Sequence, residues 1–268
     1  DFTGGNDLVI GSTATTNVDG DPDYASNDTG AILNVADLLG ANGLGGQDAG
    51  ARTGIGGANA GDGDLTVNAA IDFDGIGSRS LTLRASDDLV INQPISDGAG
   101  NDDTLNLNLS AQNDPQQSNL PGSTGLLDIN ANINLNDGDL TAAAQTFDNT
   151  GASITTTGNV AVTLWTGGTA NIAGDINAAQ VDIVGNEIAN PDGDVNVVAG
   201  TMTSDALNAT SDTFSQTGGI VTIANTATLT QTTSAAFAAN FSADTLAVDA
   251  PTVNINTGAS FDAASSFA

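Results

Sequence analysis

Cysteine, histidine and lysine are all absent from this sequence. Without cysteine there is no disulfide staple and no thiolate metal site, a usage that suits a bacterial extracellular protein. Without histidine or cysteine, Ser-His-Asp and Cys-His nucleophiles are excluded, and zinc loses its usual ligands. Basic residues number three, Arg52, Arg79 and Arg84, against 32 acidic ones, for a formal net charge of -29. So acidic a surface repels phosphate backbones, which excludes nucleic acid, and repels anionic membranes on the same ground. Cations are its natural small partners. No apolar run approaches the roughly 20 residues of a membrane span, so no membrane insertion is expected. The chain begins at Asp1 with no visible signal peptide, which reads as a processed product or a fragment.

Glutamate is nearly missing too. Glu187 is the only one, so the acid is almost all aspartate, the short carboxylate that favours turns. The residues that usually cover helix surfaces are therefore scarce. Thr, Val, Ile, Asn, Asp and Gly dominate, which reads as short strands and tight turns. Residues 1–61 form the least regular part. Within them ILNVADLL (Ile32–Leu39) reads as a strand pair or one short helical turn, and Gly40–Asp64 as a long glycine-rich loop.

From residue 62 to 268 the pattern is one of short alternating runs. In LDINANINL, Leu127, Ile129, Ala131, Ile133 and Leu135 share one face, and Asp128, Asn130, Asn132 and Asn134 the other. LTLRA (Leu81–Ala85), LNLNLSA (Leu105–Ala111), VAVTL (Val160–Leu164) and IVTIA (Ile220–Ala224) repeat the theme. The linkers are short and rich in Asp-Gly, and DGD recurs at Asp62, Asp137 and Asp192. No stretch reads as the amphipathic helix that a parallel sheet normally needs for its crossovers. A parallel β-helix avoids that need by stacking short strands coil upon coil, with an apolar column inside and Asn and Thr ladders outside. The predicted fold is all-β, a right-handed parallel β-helix. At roughly 20 residues per coil it would have about ten coils and a length of roughly 50 Å. An antiparallel sandwich is the competing all-β arrangement.

At Ser80–Ala111 and Gly125–Ala178 the repeat style, L-T-L-x-A, a D-D turn, then V-I-N-x-P-I, resembles the β-helical shafts of filamentous-haemagglutinin-like exoproteins of bacterial two-partner secretion. The resemblance spans most of residues 63–200. It implies a secreted adhesive or structural protein at the bacterial cell surface, with a host or neighbouring-cell glycan or protein as receptor. The family's Asn-Pro-Asn-Gly secretion motif has its nearest counterpart in NPDG at Asn190–Gly193, mid-chain and altered, which reads as a turn. The sequence closes on TVNINTGASFDAASSFA with no visible cap, so end-to-end self-association into a fibre is a further expectation.

GAGNDDTLNL (Gly98–Leu107) and TGGNDLVIG (Thr3–Gly11) approach the calcium nonapeptide G-G-x-G-x-D-x-U-x. In the first, Thr104 falls where the large apolar residue belongs. In the second, Phe2 and Thr3 replace the leading glycines. GAGNDD reads instead as an outward loop between coils. Isolated Ca²⁺ in an Asp-rich turn is the remaining metal expectation, with Asp97, Asp102 and Asp103 as the best cluster; no cofactor is required. The rival functional class is a carbohydrate-binding or carbohydrate-active β-helix. Glycoside hydrolysis needs two spaced carboxylates, which Asp87-Asp88 and Asp102-Asp103 superficially supply. Adjacent aspartates between strands more often form solvated turns, and Arg84 points outward between Leu83 and Ala85. No catalytic residue is assigned and the protein reads as a non-enzyme. Trp165 and Tyr24 are the candidate binding aromatics: Trp165 as a sugar-stacking platform or a coil-corner filler, Tyr24 as a ligand contact in a polar loop.

Overall fold

A computed structural model describes residues 5–55, 63–98, 103–111, 125–185, 193–256 and 259–267. The alternating runs become strands, and the strands stack in parallel into a β-solenoid of about 9 turns, 64% strand and 2% helical. Each coil contributes a segment to three stacks. One coil runs Leu65–Val67, Ile71–Asp72 and Arg79–Ala85; the next runs Leu89–Ile91, Ile95–Ser96 and Leu105–Ala111. Later coils fuse neighbouring segments into long bent strands such as Asn159–Ile172 and Thr201–Gln216. At ~4.8 Å per turn the stack is ~43 Å long.

Register converts sequence alternation into continuous columns. In the first stack Leu8, Leu65, Leu89, Leu127, Phe147, Ala170, Val195, Phe214 and Ala235 lie one above another, all buried. In the second, Ile71, Ile95, Ile133, Ile154 and Ile176 continue into Met202, Val221 and Phe241. Burying each Val, Leu, Ile, Met or Phe side chain of these columns stabilises by about 1.5–3 kcal/mol. Near the C-terminal coils the column becomes aromatic. The Phe237 ring lies 5.7 Å from Phe214 and 5.3 Å from Phe241, edge-on to the latter. Outside, the alternate residues are small and polar. Asn92 donates to Asn68, and Asn130 donates to Asn92, forming an asparagine ladder across three coils.

The two ends differ. Residues 8–52 belong to the same sheet as the coils: Leu8–Gly11 pairs with Leu65–Val67, and Ala49–Arg52 with Arg79–Ala85. The boundary placed at residue 61 is thus crossed by strand pairing. Ile32–Leu39 splits into the strand Ala31–Asn34 and the four-residue helix Val35–Leu38, whose Ala36 N–H is capped by Asn34. That strand lies on the far side of Leu8–Gly11, out of chain order. With Tyr24, Leu38 and Leu44 buried beside it, it closes that end of the apolar column. At the other end Thr252–Ile255 pairs with 234–237, and its residues are exposed, Ile255 by 54%.

Candidate functional site

The aspartates are concentrated at the coil corners, and there they bond to the neighbouring coil. Asp48 accepts the Ser80 N–H at 2.8 Å, Asp64 the Asp88 N–H at 3.2 Å, and Asp88 the Leu126 N–H at 2.8 Å. Asp139 accepts the Asn159 N–H and Asp175 the Thr201 N–H, each at 2.8 Å. Asp7 bridges the N–H groups of Gly63 and Asp64. In each case the donor lies in the next coil toward the C-terminus. A corner turn leaves N–H groups without a strand partner, and a short carboxylate from the coil before reaches them. Asp87 and Asp88, considered above as a catalytic pair, serve this role: Asp87 accepts the Gly125 N–H.

One corner departs from the rule. The second-stack ladder continues one residue beyond Ile95–Ser96, since Phe73 donates to the Ser96 carbonyl and Asp97 to that of Asn134. Asp97 therefore occupies the inward position that Phe73 fills in the coil before and Leu135 in the coil after. All three are fully buried. The Asp97 carboxylate accepts the Leu105 N–H at 3.1 Å through Oδ2, while its Oδ1 is buried with no hydrogen-bond partner. Burial raises its pKa to about 6; the Leu105 bond opposes the shift, and the charges of Asp103, Asp137 and Asp74 add to it.

Asp103 is buried beside it. Its Oδ2 accepts the N–H groups of Gly75 and Ile76, at 2.6 and 3.1 Å. This bond runs backward, to the preceding coil. Its Oδ1 is likewise buried without a partner. The side chain of Asp74 lies against Gly98, where an added Cβ would stand 2.6 Å from its Cγ. The third residue of the expected calcium cluster, Asp102, lies outside the described residues, as do Gly100, Asn101 and Asn190–Asp192 of NPDG. Among the described residues no three His, Cys, Asp or Glu side chains form a ready-made metal cage. Asp74 and Asp137 enter the cluster only through coil stacking. The signal that could have found them is the alignment of DFDG (Asp72–Gly75) and NDGD (Asn136–Asp139) on the same corner.

Each of the two candidate aromatics is held by a hydrogen bond to a backbone carbonyl. Trp165 is half-buried at a corner, and its indole N–H donates to the Ala111 carbonyl at 3.2 Å. Tyr24 is buried, and its hydroxyl donates to the Asp37 carbonyl at 3.2 Å. Burial and the charges of Asp21 and Asp37 raise its pKa. Tyr24 also borders a small cleft with Arg52 and Arg84, which are register neighbours on adjacent strands. Arg84 is exposed, as its place between Leu83 and Ala85 predicts.

A shallow groove of about 390 Å³ runs across the outer side of the second stack, lined by Asn134, Thr155, Asn177, Thr203 and Thr222, which are register neighbours, with Asp205 beside them. Its lining mixes Asn, Thr, Ser and Asp side chains with Ala178, Ala179 and Ala224, and contains no aromatic ring. No helix is long and apolar enough to cross a membrane. Comparison with protein-family models, curated proteins and solved structures found no match.

Proposed function

We propose that the protein is a non-enzymatic, extracellular structural or adhesive shaft of the bacterial cell surface, built in the manner of filamentous-haemagglutinin-like exoproteins. The observation that carries this reading is the stacked, largely apolar inward column with its corner carboxylates bonded coil to coil. Such a fold holds its outer residues at a fixed ~4.8 Å spacing along a rod, which suits a spacer or a repeating adhesive surface. The paired aspartates are engaged by backbone N–H groups, which favours scaffolding over acid-base chemistry. A receptor would be a glycan or protein on a host or neighbouring cell. Self-association would use the exposed strand Thr252–Ile255, since the opposite end of the apolar column is covered.

The groove over Asn134, Thr155, Asn177 and Thr203, with its row of amide and hydroxyl side chains, favours glycan binding as a second reading. Two measurements separate the classes. The intact chain is incubated with a panel of soluble bacterial and host polysaccharides, and beads coated with it are applied to immobilised glycans and cells. Adhesion without release of reducing ends or unsaturated products is expected. Depolymerisation of any polysaccharide would overturn the shaft reading in favour of a carbohydrate-active enzyme.

A further inference from the structure

We infer that the corner formed by Asp97 and Asp103 is a divalent-cation site of the class calcium occupies, and that the ion ties one coil to the turn of the coil before it. Acidic corners are common in this chain, and acidity alone does not make a site. Two facts set this corner apart. Asp97 stands in the apolar column where its stack neighbours are Phe73 and Leu135, and it is 0% exposed. A carboxylate there costs several kcal/mol unless something compensates its charge. Each of the two buried carboxylates uses one oxygen on backbone N–H groups and leaves the other, Oδ1, without a hydrogen-bond partner. Buried polar atoms are rarely left so, and an ion is one of the standard reasons.

The donor chemistry selects the ion. The groups offered are carboxylate oxygens, with backbone carbonyls and water to complete the shell, and the chain has neither imidazole nor thiolate. Such a set suits hard cations and not zinc or copper. Calcium accepts irregular shells of 6–8 oxygens and tolerates several waters, whereas magnesium demands a near-ideal octahedron. Asp74, against Gly98, and Asp137 add negative charge around the two buried groups. The backward bond from Asp103 to Gly75 and Ile76 gives the ion its mechanical role. Holding Asp103 fixes the Gly75–Ile76 turn of one coil against Asp97 of the next. The site stands independently of the shaft reading.

The test is calorimetric titration of the full chain with CaCl₂ in 0.15 M NaCl after chelation, with MgCl₂ as the comparison. One saturable calcium site is expected, against a diffuse background from the other aspartates. At about a hundredfold excess over Kd, calcium should raise Tm by ~5 °C. Asp97→Leu, which matches the apolar neighbours in the column, should abolish the saturable site and the calcium-dependent rise. Asp103→Asn keeps an oxygen for Gly75 and Ile76 and removes the charge; it should weaken calcium at least tenfold, and it serves if Asp97→Leu does not fold. No saturable binding by the wild type would overturn the proposal. Equal binding by wild type and the folded variants would overturn it in favour of diffuse counterions.

Discussion

Replacing Asp97 by leucine should make the calcium-free protein more stable at neutral pH and less stable in acid. An aspartate in an unfolded chain titrates near 3.9, and burial lifts Asp97 to about 6. The raised value means that the folded state holds its proton more tightly than the unfolded state. Stability from this group is therefore greatest in acid and is lost as pH rises from about 4 to 6. A gap of about 2 units corresponds to ~3 kcal/mol. Leucine removes that cost but leaves the buried Leu105 N–H without its acceptor, which costs ~1 kcal/mol. The net is a gain of ~2 kcal/mol at pH 7 and a loss of ~1 kcal/mol near pH 4, so the two stability curves should cross. Urea titrations in EDTA across pH 4–8 would show it, followed by far-ultraviolet circular dichroism and by the fluorescence of Trp165. That tryptophan bonds to Ala111, at the end of the strand that begins at Leu105, so it reports on the same coil. A stability difference between variant and wild type that does not change with pH would refute the reasoning.

Phe237→Ala should cost about 3–5 kcal/mol, because it empties a fully buried ring site between Phe214 and Phe241; differential scanning calorimetry measures it. Gly138→Ala should give little soluble protein, since an added Cβ would lie 1.9 Å from the Leu105 carbonyl oxygen. Gly151→Ala, where φ is +80° in open space, should cost only ~1 kcal/mol, and comparing soluble yields of the two tests the distinction. Asp88→Ala removes the acceptor for the Leu126 N–H and should cost ~1 kcal/mol, while Asp88→Asn retains an acceptor and should cost less; limited proteolysis near residue 126 would report the loosened corner.

The fold was legible because period-two alternation is a direct image of inward and outward positions. In LDINANINL the alternation places Leu127, Ile129, Ile133 and Leu135 inward, as the structure has them, but the run divides at a corner into the strands Leu126–Ile129 and Ile133–Asn136, with Ala131 only partly buried between them. The corner chemistry was less legible. Asp88 and Leu126 are 38 residues apart, and only the register of adjacent coils brings them together. The place of Asp97 was hidden for a related reason. By local pattern it begins a polar loop, and its inward position emerges only when Ser96 is set beside Asp72 and Asn134. The N-terminal segment was hardest to read. Its strand order reverses, with Ala31–Asn34 stacking outside Leu8–Gly11, and no local signal encodes that reversal.

The abundance of aspartate follows from the architecture. Each corner must satisfy N–H groups that no strand reaches, and a short acceptor on the preceding coil does so. Seven of these carboxylates, Asp7, Asp48, Asp64, Asp87, Asp88, Asp139 and Asp175, bond toward the C-terminal coil. Asparagine serves equally at Asn106, which accepts the Asp139 N–H, and at Asn132, which accepts that of Ser153. Charge is therefore dispensable for the hydrogen bond itself, yet the chain carries -29 of it. Aligned carboxylates on successive coils repel one another. Asp64 shows the consequence: burial lifts its pKa to about 6, against the Asp88 hydrogen bond, and the charges of Asp88, Asp7 and Asp87 add to the shift. A column of this kind is held by its apolar interior against its own charge, and divalent cations relieve that repulsion. The backward-bonded corner at Asp97 and Asp103 is where the stack has most to gain from a bound ion.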